Sequence, residues 1–71
     1  MKMEIKLGKY QHYKGNFYEV IGFATHSETR EKLVIYRALY GDGGVWARPA
    51  TMWDEPVINA DGETVARFTK V

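Results

Sequence analysis

The plainest pattern in the chain is the alternation from Phe17 to Thr25. Tyr18, Val20, Gly22 and Ala24 fall on one side, and Phe17, Glu19, Ile21 and Phe23 on the other. Period-two order in a run rich in aromatic and β-branched residues predicts a strand. Leu33 to Tyr40 repeats the pattern, with Leu33, Ile35, Arg37 and Leu39 opposite Val34, Tyr36, Ala38 and Tyr40. His26 to Glu31, between them, is polar throughout and reads as a hairpin loop. Gly41-Asp42-Gly43-Gly44 can supply the positive φ angles of a tight turn. Val45 to Arg48 is then a short strand stopped by Pro49, which cannot donate to a ladder.

The flanking segments carry weaker signals. Met3, Ile5 and Leu7 alternate with Lys2, Glu4 and Lys6, which suggests a strand or an extended arm. Gly8 to Tyr13 continues extended up to the turn signal Lys14-Gly15-Asn16. Ala50 to Glu55 fits a single helical turn ended by Pro56. Val57-Ile58 and Thr64 to Val71 flank Asn59-Ala60-Asp61-Gly62, which suits a final hairpin. Helical periodicity is never sustained over three turns. The expectation is an all-β domain spanning residues 1–71: a small SH3-like, partly open barrel of five to six short antiparallel strands with at most one helical turn.

Composition narrows this picture. A chain of 71 residues has a thin core, and without cysteine it cannot use disulfides or thiolate metal sites. Ten aromatic residues must therefore supply most of the buried area. Ten Lys/Arg against nine Asp/Glu leave a net charge of +1, which gives no general pull on nucleic acid or anionic membrane. The longest apolar runs, Val20 to Ala24 and Leu33 to Tyr36, are far too short to cross a bilayer, and Met1 to Lys6 lacks the apolar core of a signal peptide. A soluble, cytoplasmic protein is expected.

Candidate chemistry is mostly excluded by spacing. His26, Ser27 and Glu28 are the residue types of a hydrolytic triad, but neighbours on an extended chain point to opposite sides and cannot bond in series. His12 and His26 lack the spacing of a metal motif, so no metal or cofactor is expected. The glycines at 41–44 precede a strand, not the helix start that phosphate loops use. Two arginines are more informative. Arg37 sits mid-strand on an otherwise apolar face, where a charge needs a partner or solvent, and Glu19 is the natural partner. Arg48 lies two residues from Trp46, so both side chains leave the same side of one strand. His26, Glu28, Tyr36, Arg37, Trp46 and Arg48 thus form the candidate ligand-binding set, with Tyr40 as a further aromatic edge and Glu28 as a second partner for either arginine.

The string Gly8-x-Tyr10-x-His12-Tyr13-Lys14-Gly15, then His26-Ser27-Glu28-Thr29, Val34-x-Tyr36-Arg37, Trp46-x-Arg48-Pro49 and Arg67-Phe68, resembles the bacterial family of unknown function numbered sixteen fifty-three. The likeness runs from about Gly8 to Phe68, and Trp53 replaces the Phe common after Met in that family. The family has no assigned activity, so the resemblance implies no catalytic residue. Three readings follow. The first is a non-catalytic binding module for a peptide, a nucleic-acid segment or a small ligand. The second is a homodimer or assembly unit using surplus apolar sheet surface, and the third a small hydrolytic enzyme built on His12, His26 and Glu28. The binding module is preferred, because 71 residues offer little room for a water-excluding catalytic pocket.

Overall fold

The computed structural model describes residues 5–53 and 55–71. Among the described residues seven strands and one helical turn follow one another: β1 (Gly8–His12), β2 (Phe17–Thr25), β3 (Lys32–Ala38), β4 (Val45–Pro49), α1 (Ala50–Trp53), β5 (Pro56–Ile58), β6 (Thr64–Ala66) and β7 (Phe68–Lys70). Five strands form an antiparallel sheet in the order β4-β3-β2-β1-β7, and β5 and β6 form a separate hairpin. The mainly β, antiparallel architecture is as expected. The strands number seven because Thr64 to Val71 splits at Arg67: β6 pairs with β5, whereas β7 crosses to pair with β1. With β4 and β7 as its two edges, the sheet is not closed into a barrel. The expected extended arm over residues 1–7 falls partly outside the described residues, and the first described strand starts at Gly8.

Local chemistry accounts for the boundaries. Gly15 takes φ of 110° in the turn after β1, where its N–H donates to the His12 carbonyl at 2.7 Å. Leu33 to Tyr40 was expected to be strand throughout, but β3 ends at Ala38 because the Ala38 N–H donates to the Gly44 carbonyl at 2.9 Å. That bond closes the loop two residues early and leaves Leu39 to donate to the Phe17 carbonyl at 3.0 Å. Asn59 organises the last hairpin: its Oδ1 accepts the N–H groups of Asp61 and Glu63, each at 2.9 Å.

One feature inside β2 breaks simple alternation. The register to β3 slips between Val20 and Gly22, so Ile21 is bulged and Phe23 pairs with Val34. Residues directly opposite in an antiparallel pair share a face. Phe23 therefore joins Tyr18 and Val20 on one side instead of lying against them, and the strict two-face reading of Phe17 to Thr25 is corrected beyond Val20. Gly22, a strand glycine, carries the signal for such a bulge.

The face carrying Tyr10, Tyr18, Val20, Val34, Tyr36 and Phe68 is the front of the sheet, and the core sits on it. Trp53, delivered by α1 just after Pro49, closes that core with 1% of its surface exposed. Its ring stacks on Phe68 at 3.8 Å and 2°, and meets Tyr10 and Tyr36 edge-on at 5.4 and 5.0 Å. The Tyr10 hydroxyl donates to the Lys6 carbonyl at 2.8 Å and accepts its N–H at 3.0 Å, which ties the segment before β1 to the same cluster. Trp53→Ala should cost about 3–5 kcal/mol, and Trp53→Phe clearly less, read as the change in urea midpoint followed by far-ultraviolet circular dichroism.

Candidate ligand-binding face

Strand pairing decides which candidate residues meet. Trp46 lies across from Tyr36 and Arg48 across from Val34, so Trp46 and Arg48 are on the front with the core. Trp46, on an edge strand, stays 60% exposed. Arg37 is on the back face, opposite Glu19, with Nη1 4.0 Å from Glu19 Oε1 and both side chains 46% exposed. The expected pair therefore exists, and Arg37 is removed from the front-face group. So open a pair contributes on the order of 0–1 kcal/mol.

His26 and Glu28 also fall outside the group. The His26 Nδ1 accepts the N–H groups of Glu28 and Thr29 at 3.1 and 3.3 Å, and its carbonyl accepts the Arg30 N–H at 2.8 Å. This side chain organises the β2–β3 loop, at the end of the hairpin away from Tyr18 and Ala38. Among the described residues the ion pairs are Arg37–Glu19 and Arg67–Glu55, so Glu28 serves neither Arg37 nor Arg48.

Other residues take their place. Tyr18 is the hub of an aromatic cluster, edge-on to Tyr36 (5.5 Å), Tyr40 (5.5 Å), Phe68 (5.7 Å) and His12 (6.2 Å). Its hydroxyl shares a 2.7 Å hydrogen bond with that of Tyr40. Burial first, then this bond, pushes the Tyr18 phenol up to about 12, while the Arg48 charge pulls the other way. His12 packs edge-on against Phe68 at 5.0 Å, and its Nδ1 accepts the Lys14 N–H at 3.2 Å. The remaining ring nitrogen, Nε2, therefore carries the proton of the neutral imidazole. The His12 pKa is lowered by burial and, in descending order, by the positive charges of Arg67, Lys14 and Arg48.

Arg67 occupies the bend between β6 and β7. Its carbonyl accepts the Tyr13 N–H at 2.9 Å, and its Nη2 lies 3.6 Å from Glu55 Oε1. Among the described residues the side-chain N–H donors Arg48 Nε, Arg67 Nε and Trp53 Nε1 are buried without a hydrogen-bond partner. Buried donors are normally satisfied, so three in one small domain mark the region chemically. Tyr18 and Trp53 were not among the expected site residues. The period-two face of Tyr10 and His12 and the arginine interrupting the last strand were the available signals.

Clefts adjoin the β5–β6 hairpin. One of about 510 Å³ is lined by Tyr13, Lys14, Ile58, Asn59, Ala60 and Asp61. A smaller one of about 280 Å³ is lined in part by Gln11, His12, Asn59 and Thr69. Asn59 is already committed to its own hairpin in both. Neither contains Trp46 or Arg48, the two residues that strand pairing puts together on the front face. Among the described residues no group of three or more His, Cys, Asp or Glu could hold a metal ion, and no helix is long and apolar enough to cross a membrane.

The fold and this face define a small, mainly β domain with an aromatic core bordered by arginines. The family described as "Protein of unknown function (DUF1653)" matches residues 8–70, and the chain belongs to it. It is similar to the crystal structure of a DUF1653 protein from Bordetella bronchiseptica, with 36% identity and a TM-score of 0.85, covering 96% of this chain and 88% of that one. No curated protein matches the chain.

Folded His12 resists protonation more than its unfolded counterpart, whose pKa is near 6.5. Its neutral form therefore leaves stability undiminished above that pH, and stability falls as the pH drops below it. Urea unfolding should show a lower midpoint at pH 5 than at pH 7.5, with the difference reduced in His12→Gln. Arg67→Gln should raise the His12 pKa, read from imidazole proton shifts.

Proposed function

We propose that the protein is a non-catalytic binding module whose ligand face is the front of the sheet around Tyr36, Trp46 and Arg48, extended by His12, Tyr18, Tyr40 and Arg67. The observation that carries this reading is an exposed tryptophan, Trp46, on the same face of β4 as Arg48, whose Nε is buried without a partner. Each such donor costs about 1–3 kcal/mol while unpaired. A small domain has little stability to spare, and a ligand that brings acceptors recovers that cost on binding. The surrounding guanidiniums, phenols and imidazole suit a ligand held by donated hydrogen bonds and aromatic contact. The net charge of +1 favours a peptide or small ligand over a nucleic-acid segment.

The test is a titration of ¹⁵N-labelled protein with short peptides, oligothymidylate and small aromatic fragments. Shifts should gather at Tyr36, Trp46, Arg48 and Arg67 and spare Arg37 on the back face. Absence of any front-face shift overturns the reading.

A second reading, assembly through the back face, is favoured by one observation. Ile21 and Val45 stay 38% and 54% exposed on the bulge and on the edge strand. Sedimentation equilibrium should then give a mass well above 8.2 kDa at high concentration, and a monomer rejects this reading.

A further inference from the structure

The two edges of the sheet are unequal. β7 is three residues long and ends in exposed Lys70, and short length and lysine are the usual guards of an edge against another chain. β4 has five residues, of which Val45, Trp46 and Ala47 are all exposed. Among the described residues its one strand partner is β3. The ladder between them fixes which backbone groups are spare. The Ala38 N–H donates to the Gly44 carbonyl at 2.9 Å, and bonded and unbonded pairs alternate along an antiparallel ladder. Trp46 and Arg48 therefore bond to Tyr36 and Val34, whereas Val45, Ala47 and Pro49 turn their backbone groups outward. Pro49, which has no N–H, occupies a position where β3 asks for none. A side chain at Gly44 would stand 3.4 Å from Trp46 Nε1, so the indole lies along its own strand, over Gly44.

Val45 and Ala47 each offer one N–H and one C=O to a strand arriving from outside. A second β4, antiparallel and related by a two-fold axis at Trp46, matches that set. Val45 then faces the partner's Ala47, Ala47 faces the partner's Val45, and each pair exchanges both bonds. An axis one residue on, at Ala47, would set Val45 against the partner's Pro49 and leave the Val45 carbonyl without a donor. The side chains agree with the first register. On the back face the larger Val45 meets the smaller Ala47 twice, and on the front Trp46, 60% exposed, meets its own copy where paired strands approach most closely. Arg48 comes opposite the partner's Gly44, which has no side chain to obstruct it. We infer that two copies of this chain pair through β4 about a two-fold axis at Trp46, joining their five-stranded sheets into one. This contact is made by the backbone edge and needs neither the ligand site nor the back-face contact. It sets the front faces of the two copies side by side, with the Trp46 pair at the seam. Stable complexes bury about 1,200–2,000 Å², and two short strands bury less, so association belongs to micromolar protein and above.

The test is sedimentation equilibrium from micromolar to millimolar protein, with hydrogen exchange of the Val45 and Ala47 amides followed over the same range. Both amides should become protected as the dimer forms. Ala47→Pro removes an N–H that β3 does not use and should weaken dimerisation by about tenfold or more, the loss of two hydrogen bonds. Should Ala47→Pro fail to fold, Val45→Lys, which adds a charge at an exposed edge position, should weaken it likewise. Ile21→Ser, on the bulge, should leave it unchanged. The chain has no cysteine, so the register can be read by cross-linking. Trp46→Cys should oxidise to a disulfide-linked dimer, and Ala47→Cys, which faces Val45 and not itself, should do so about tenfold more slowly. Equal rates reject the axis at Trp46. A chain that stays at 8.2 kDa up to millimolar concentration overturns the inference. So does a dimer that survives Ala47→Pro and Val45→Lys but is lost in Ile21→Ser, a result that leaves the back-face contact standing. Protection of Val45 and Ala47 by an added peptide, in a chain that does not self-associate, also overturns it and makes the edge a peptide site.

Discussion

The parallel stack of Trp53 on Phe68, 3.8 Å apart, is the contact on which the rest of the molecule depends. A five-stranded sheet that is not closed has a front face that something must cover, and this chain supplies one helical turn for the task. Four residues of helix cannot be stable by themselves. They are held because Pro49 ends β4 and Trp53, four residues later, reaches over to the far edge strand. The stack thus joins the two edges of the sheet across the top of its middle strands. Tyr10 and Tyr36 pack their rings against it edge-on, so each large core residue from β1, β3 and β7 touches the same indole.

An aromatic core brings polar tips with it, and where they go explains the character of the front face. Tyr10 satisfies its hydroxyl on Lys6, and Tyr18 and Tyr40 satisfy each other. The indole N–H of Trp53 and the Nε groups of Arg48 and Arg67 find no such partner. The satisfied tips draw on backbone or on one another. The back of the sheet is organised otherwise: Lys9 lies over the Phe17 ring at 4.5 Å and Arg37 faces Glu19, contacts that keep charged groups wet.

Much of this fold was legible because turn chemistry and period-two order act locally. Phe17 to Thr25, the turn at Gly15, the stop at Pro49 and the helical turn at Ala50 all follow from neighbours in sequence. Three features did not. The bulge at Ile21 is decided by pairing with β3, which reverses the face of Phe23. The division of the last strand at Arg67 is decided by which partner each half finds. The end of β3 at Ala38 is set by a bond to Gly44, across a loop. Around the candidate face, strand alternation alone put Trp46 and Arg48 on one side, and adjacency of strands gave the Glu19–Arg37 pair. His26 and Glu28 were drawn in by residue type, yet His26 spends its acceptor on its own loop. Tyr18 and Trp53 were missed as site residues because hydrophobic burial accounted for them before geometry showed what they border.

The position of Phe68 in the chain has a kinetic consequence. The meander β1-β2-β3-β4 consists of sequence-local hairpins, the kind of contact that forms quickly. Its covering residue is already present at position 53, yet the surface on which that residue stacks lies fifteen residues further on, after a separate hairpin. During synthesis the meander must therefore emerge with its aromatic face bare, and it stays so until β7 has passed the exit of the ribosome and docked on β1. The early strands can pair in this interval, but they cannot be sealed. The interval's length is set by the β5–β6 hairpin, whose tight Asn59-centred turn keeps it short.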